Sequence, residues 1–372
     1  MLKIGIIGCG KIADQHAEQI QRIAGCEIVG VCDREELMAR QMYERYSVRQ
    51  WFVDVEKLLE IGCPDIVHIT TPPQSHFALG KLCLKAGCHV YIEKPFTLDS
   101  AEAERLINLA NENKLKLTVG HNAQFSHAAI RMRDLIGKGV LGGPPVHMES
   151  DYCYNLADQN YAKALLGDKQ HWVRKLPGQL LHNIISHGIS RIAEFWPDNT
   201  PHVVAHGFTS PLLRRIGETE IIDELRVLIS DKQATTAYFT FSSQLNPPLR
   251  QFRIYGPENA LLIDENHQTV IQIRGRQYKS YLNQFVPAYD LGKQYIGNLF
   301  HNIGKFARSE FHNDSGMKHL IAAFYRSVRD NSIVPISYGE ILRTARIMDD
   351  TFEQLRSSRP AMRGENVECQ TT

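Results

Sequence analysis

Apolar β-branched runs recur through the first third of the chain, separated by stretches in which apolar positions return every three or four residues. Ile4, Ile6 and Ile7 make the first run and Ile28-Val29-Gly30-Val31-Cys32 the second. Others follow at Asp65 to Thr70, His89 to Ile92 and Leu115 to Val119. Helical patterns fall between them at Glu35 to Arg45, Asp54 to Ile61, Phe77 to Ala86 and Ala101 to Asn113. This alternation predicts right-handed βαβ crossovers and a parallel sheet. Ligands of such sheets sit beyond the carboxyl ends of the strands. The candidate strand ends are therefore Thr70-Thr71-Pro72-Pro73, Glu93-Lys94-Pro95 and Gly120-His121-Asn122.

From about residue 145 the pattern changes to strands with few helices between them. They fall at Val146 to Tyr152, Leu225 to Ile229, Thr235 to Phe241, Phe252 to Tyr255, Ala260 to Ile263 and Val270 to Ile273. Such a series suggests a large, mostly antiparallel sheet. Helical patterns return at Asn183 to Phe195, Met317 to Asp330 and Tyr338 to Leu355. The segment Tyr281 to Phe311 interleaves aromatics with Lys293, Lys305 and Arg308 and reads as a long solvated connection with a few buried rings, the alternatives being a cover over the substrate or a contact with another subunit.

One stretch carries more than fold. Gly8-Cys9-Gly10-Lys11-Ile12-Ala13 follows the first apolar run, and Asp33 ends the second, about 20 residues past Ala13. A glycine turn opening a helix, with an acid at that distance, fits a dinucleotide: Gly8 makes the turn, Gly10 admits the pyrophosphate, and Ala13 lets helix and strand pack closely. Asp33 would accept hydrogen bonds from the adenosine ribose and repel a 2′-phosphate, which favours NAD, while the guanidinium of Arg34 keeps NADP possible. The expected architecture is α/β: a Rossmann domain with a parallel sheet over residues 1–122, a C-terminal α+β domain with a large, mostly antiparallel sheet over 123–363, and a polar tail at 364–372.

Composition narrows the classes. A chain of 372 residues, 43% hydrophobic, is long enough for two cores. Lys+Arg 42 against Asp+Glu 41 leaves a net charge of +1. That balance gives no whole-chain field for nucleic acid or an anionic membrane. No apolar run approaches a membrane span, and Met1-Leu2-Lys3 leads straight into the first run, so a cytoplasmic location is expected. The eight cysteines form no CxxC pair and read as free thiols, and the sixteen histidines form no cluster with metal-ligand spacing, so no metal is expected.

Two clusters are candidates for proton and hydride chemistry. Lys94 ends the fifth apolar strand, where an ammonium could bind a substrate hydroxyl and stabilise a developing oxyanion. Asn183 and His187, four residues apart on a predicted helix, share a face, and His187 suits proton transfer. His182, five before His187, points elsewhere on that helix, while His121 with Asn122 and Tyr152 with Tyr154 could line the cleft or simply pack.

These elements together resemble the Gfo/Idh/MocA oxidoreductases, the glucose-fructose oxidoreductase and inositol dehydrogenase relatives. The likeness rests on Gly8 to Ala13, on Thr71-Pro72-Pro73 with His76, on Glu93-Lys94-Pro95, on Asn183 to His187, and on Tyr255-Gly256-Pro257-Glu258-Asn259-Ala260. It implies hydride transfer between NAD(P) and a secondary alcohol of a sugar, cyclitol or nucleotide sugar. By the same resemblance Lys94 matches the catalytic lysine and His187 the proton shuttle, and Gly8, Cys9, Gly10, Lys11, Ile12, Ala13, Asp33, Arg34, Thr71, Pro72, His76, Glu93 and Lys94 are expected around the cofactor. Asn183, His182, Tyr152 and His121 are expected to meet a polyhydroxylated substrate. Asn183 departs from the pattern, which has an aspartate there, so its part is orientation rather than proton transfer. The resemblance further implies a homo-oligomer, dimer or tetramer, formed through the C-terminal sheet. Two other readings stay open: a redox-neutral enzyme that retains NAD (sugar-sugar oxidoreduction or NAD-assisted glycoside elimination) and a non-catalytic NAD-responsive regulator.

Overall fold

A computed structural model describes residues 1–156, 167–197, 200–231, 235–311 and 315–357, and the tail expected at 364–372 lies outside them. Strands β1 (Leu2–Ile7), β2 (Cys26–Cys32), β3 (Trp51–Phe52), β4 (Ile66–Ile69), β5 (His89–Ile92) and β6 (Leu117–Val119) form one sheet in the order β3-β2-β1-β4-β5-β6. Every pairing in it is parallel. Parallel strands covered on both faces need near-continuous apolar runs, which is what β1, β4 and β5 carry. Helices α1 (Lys11–Gln21), α2 (Glu36–Arg45), α3 (His76–Lys85) and α4 (Ser100–Glu112) link the strands. The strand order reverses between β1 and β4, so the ends of those two strands flank the crevice.

The second sheet has seven strands: β7 (His147–Asn155), β8 (His202–Phe208), β9 (Glu224–Ser230), β10 (Thr236–Ser242), β11 (Gln244–Tyr255), β12 (Asn259–Asp264) and β13 (Thr269–Arg274). Their order is β13-β12-β11-β7-β10-β9-β8, antiparallel except for the β7–β10 pair. After α5 (His127–Gly137), helices α6 (Gln179–Ile184) and α7 (Ser186–Phe195) lie on this sheet. Ile184, Ile189 and Ile192 meet Phe239, Phe241 and Phe252 in its core, and the packing is close: a Cβ on Gly188 would come within 2.3 Å of the Phe239 ring.

Of the elements that differ from the sequence expectation, three do so for a local reason. Strand β8 was not anticipated, because its alternation is interrupted by His206 and Gly207. Strand β11 begins at Gln244 rather than Phe252, although Pro247 and Pro248 read as a break. The strand accommodates them with a cis Asn246–Pro247 peptide and a register shift between Gln244 and Leu249. The supposed connection Tyr281 to Phe311 is largely helix α8 (Leu282–Ala307), whose Pro287 and glycines dilute the helical signal. After it, α9 (Ser315–Arg329) returns to the first core, where Met317, Leu320, Ile321, Phe324 and Tyr325 are buried. Helix α10 (Tyr338–Ser357) spans both cores, with Ile341 in the first and Ile347 and Phe352 in the second.

Candidate active site

The turn after β1 is built to leave room. Gly8 has φ +93, and a Cβ there would lie 2.7 Å from the Thr71 methyl, so both conformation and space demand glycine. A Cβ on Gly10 would meet nothing within 4 Å, which leaves the approach to the backbone open. Gly10 also begins α1, with no side chain capping its amides. A helix start without a side-chain cap suits an anion. Ala13 is fully buried, as close packing of α1 on the sheet requires. The Cys9 amide donates to Asp33 Oδ2 at 2.7 Å and the Glu35 amide to Asp33 Oδ1 at 3.0 Å. Each carboxylate oxygen is therefore fixed by one donor and keeps capacity for another. Gly8, Gly10, Asp33, Arg34, Thr71 and Pro72 line an open cleft at this edge. The donor set fits a dinucleotide: open amides for a pyrophosphate and a fixed carboxylate for ribose hydroxyls.

The next strand end supplies cations and bases. Glu93 is buried, accepting from His16 Nε2 at 2.8 Å and from the Lys94 amide at 3.2 Å. His16 Nδ1 lies 2.8 Å from His68 Nδ1, and His68 Nε2 lies 2.8 Å from the Tyr325 hydroxyl. Burial would raise the Glu93 carboxyl, but His16 and Lys94 outweigh it and hold it below its ordinary 4.5. A Cβ on Gly120 would meet Glu93 Oε1 at 2.6 Å, so glycine must follow β6 for this carboxylate to fit where it lies. His76 is fully buried, with Nδ1 2.9 Å from the Pro95 carbonyl and Nε2 2.8 Å from the Thr71 carbonyl. Glu93 and His76, both expected around a cofactor, thus brace the loops that line the cleft.

Beyond the cis Lys94–Pro95 peptide, the Lys94 ammonium crosses to the second domain and donates to the Asn183 carbonyl at 2.9 Å. Its second contact, to Asn183 Oδ1, is 3.5 Å. Burial lowers the ammonium from its ordinary 10.5, with Glu93 opposing. The expected single helix at Asn183 to Phe195 is nicked at Ile185, between α6 and α7, yet the helical spacing persists. His187 therefore borders the same cleft as Lys94, together with Ile12, Asn122, Tyr152, Arg250 and Glu265. Its ring stacks on Tyr152 at 5.4 Å, and its Nδ1 is buried without a hydrogen-bond partner among the described residues. Burial first, then Lys94, His121 and Arg250, hold the imidazole well below its ordinary 6.5.

His182 and His121 go elsewhere. Both border a narrower pocket with Phe96, Thr97, Ser186 and Met348, and neither lines the Lys94 cleft. Five helical positions separate His182 from His187 and turn it roughly 140° away, where it stacks on Phe352 at 5.0 Å. Burial depresses His121 to about 3 and His182 to about 4.

Arg250 was not singled out from sequence. Its guanidinium lies 5.1 Å from the Tyr152 ring centre and 5.4 Å from that of Tyr154, and its Nε is buried without a partner among the described residues. The signal was alternation: extending β11 backwards puts Arg250, Phe252 and Ile254 on one face. A charged residue on the core side marks a site more often than a surface. Glu265, 2.5 Å from Arg191 Nε, supplies the cleft's other charge, and burial raises its carboxyl against the pull of Arg191 and Arg250. Among the described residues no His, Cys, Asp and Glu group could hold a metal ion, and no helix is long and apolar enough to cross a membrane.

Residues 2–121 match a family model described as an oxidoreductase family with an NAD-binding Rossmann fold. The chain is 30% identical over 145 residues to the myo-inositol 2-dehydrogenase of Thermotoga maritima, covering 39% of this chain and 43% of that protein. It is 35% identical over 151 residues to the UDP-N-acetylglucosamine 3-dehydrogenase of Acidithiobacillus ferrooxidans, covering 40% and 45%. The matched stretch thus spans less than half the length of these curated relatives. The solved structure of the latter protein superposes with TM-score 0.71 at 22% identity, over 95% of this chain and 97% of that one. The two-domain fold is shared across nearly the whole length.

Proposed function

We propose, from the premise that the chain belongs to the Gfo/Idh/MocA oxidoreductases and carries their NAD-binding domain in residues 2–121, that it is a dehydrogenase acting on a secondary alcohol. The substrate class is a sugar, cyclitol or nucleotide sugar, and the donor or acceptor is NAD. One observation carries the reading: Lys94 and His187, from different domains, border a single cleft beside the edge where the glycine turn and Asp33 lie.

Bound along Gly8 to Gly10 and Asp33, a nicotinamide dinucleotide supplies the hydride acceptor. The residues of the chain do the rest. The Lys94 ammonium, anchored to the Asn183 carbonyl, donates to the carbinol oxygen and stabilises negative charge as it develops. His187, kept neutral by burial first and then by the cations around it, accepts the hydroxyl proton. Asn183 orients Lys94, and Arg250 with Tyr152 positions the polyol. Arg34 stands beside Asp33 on the ribose side, so NADP binds more weakly rather than not at all. Residues 123–363 supply the substrate half of the cleft and, through the outer face of the seven-stranded sheet around Val204 and Tyr238, a homo-oligomer contact.

The test is Lys94→Ala assayed with a panel of polyols and nucleotide sugars and by NAD titration. Turnover should fall about 10²–10³-fold or more, with NADH released by the native chain and NAD affinity kept by the variant. Full turnover in that variant rejects the mechanism, and a redox-neutral product with retained cofactor replaces the dehydrogenase with an internally recycling enzyme.

A further inference from the structure

Helix α8 turns its polar side inward. Asn298, its buried residue, accepts from the Val270 amide at 3.0 Å and donates to the Val270 carbonyl at 2.9 Å. Gln294 treats Gln272 in the same way at 2.7 and 3.0 Å, and Asn302 donates to the His267 carbonyl at 2.9 Å. β13 is the last strand of its sheet, so these amides complete an edge that would otherwise present bare backbone groups.

The outward side is apolar and regular. Leu282, Phe285 and Tyr289 are followed by Ile296, Leu299, Ile303 and Phe306, spaced alternately by three and four with Gly292 at the remaining position. All seven side chains are between 52% and 74% exposed. A period of 3.5 is the seam one helix offers another, here flanked by Tyr295 and Phe300, 53% and 67% exposed, whereas helices that lie in a lipid interface set a strongly charged side against their apolar face. The opposite side here is amides bonded to β13. At about 150–250 Å² for each aromatic ring and somewhat less for each aliphatic side chain, the seam exposes roughly 800 Å². That is about what each partner buries in a standard interface and more than the few hundred Å² a monomer ordinarily leaves uncovered.

We propose that α8 pairs with α8 of a second copy of this chain across a two-fold axis. Each helix is the apolar partner the other needs, the contact is self-complementary, and it closes rather than propagating. Its place beyond the terminal strand lets a neighbour approach without touching the cleft. Combined with a sheet-face contact it would make a tetramer; alone it makes a dimer.

Sedimentation of the full chain tests this. The native protein should be an oligomer, and the doubly substituted Ile296→Glu, Ile303→Glu chain should have half its mass, with NAD binding and near-ultraviolet circular dichroism unchanged. Leu299→Ala, too mild to unfold an exposed helix, should weaken association about tenfold. Tyr238→Glu on the sheet face should leave the α8 contact intact. A monomeric native chain, an unchanged mass in both α8 variants, or a mass that responds only to Tyr238→Glu overturns the proposal. Flotation of the native chain with phosphatidylserine vesicles, lost in the double variant, would reassign the seam to a lipid surface.

Discussion

Asp33 already accepts one backbone amide on each oxygen, which places its charge and leaves one acceptor direction per oxygen for a ribose. Asp33→Ser removes a charged acceptor worth about 1.5–3 kcal/mol, so NAD should bind roughly 10- to 100-fold more weakly while NADP gains. Fluorescence titration with both dinucleotides checks this, and an unchanged preference would take the ribose role from Asp33. His187 and Lys94 set the pH dependence with opposite signs. The imidazole is held below 6.5, so its neutral, proton-accepting form persists into acid and the acid limb of kcat/KM should fall below pH 6.5. The ammonium is lowered from 10.5, so its positive form is lost early and the alkaline limb should fall below pH 10.5. His187→Asn should flatten the acid limb; a limb that survives belongs to another group.

Among elements, α1 and β5 are joined by a bond that no local pattern reveals. His16 and Glu93 are 77 positions apart, and His16 occupies an otherwise apolar helix face with Ala13, Ala17 and Ile20. His16→Leu would strip the buried Glu93 carboxylate of its side-chain hydrogen bond and leave it the Lys94 amide, costing about 1.5–3 kcal/mol, and would loosen the strand end that carries Lys94. Denaturant melts should show the loss, and His16→Leu melting like the native chain would mean Glu93 has another partner. Helix α10 carries a second buried carboxyl. Glu340 faces Glu194, Gln124, Arg133 and Arg343, and burial together with Glu194 raises it above 4.5. The folded state therefore holds this proton more tightly than the unfolded chain, so the group's contribution to stability falls as pH rises from 4.5 through the raised value. Glu340→Gln should raise the melting midpoint near pH 8 and leave it unchanged near pH 4; an equal gain at both removes the titration as the cause. Legibility followed the same division. The glycine turn, the strand ends and the i, i+4 pair of Asn183 and His187 are local and could be read. Arg250 was hidden by the prolines of β11, α8 by Pro287 and its glycines, and the contacts of His16 and His182 by chain separation.

For the whole molecule, the cleft lies where two cores meet, and ligand binding should reinforce that junction. Saturating NAD, at about 100 times its dissociation constant, should add about 2.7 kcal/mol to stability and raise the thermal midpoint measurably. No rise in calorimetry would argue that the dinucleotide does not engage the folded chain. The return of α9 to the first core has a further consequence for how the chain is made. Met317, Phe324 and Tyr325 complete a hydrophobic interior whose other members are mostly translated before residue 126, and a newly synthesised N-terminal third waits through nearly two hundred codons with that interior open. Biosynthesis is therefore the period in which this protein is most exposed to chaperone capture and misassembly, and a ribosome stalled before α9 should present an N-terminal domain that proteases cut and the finished chain protects.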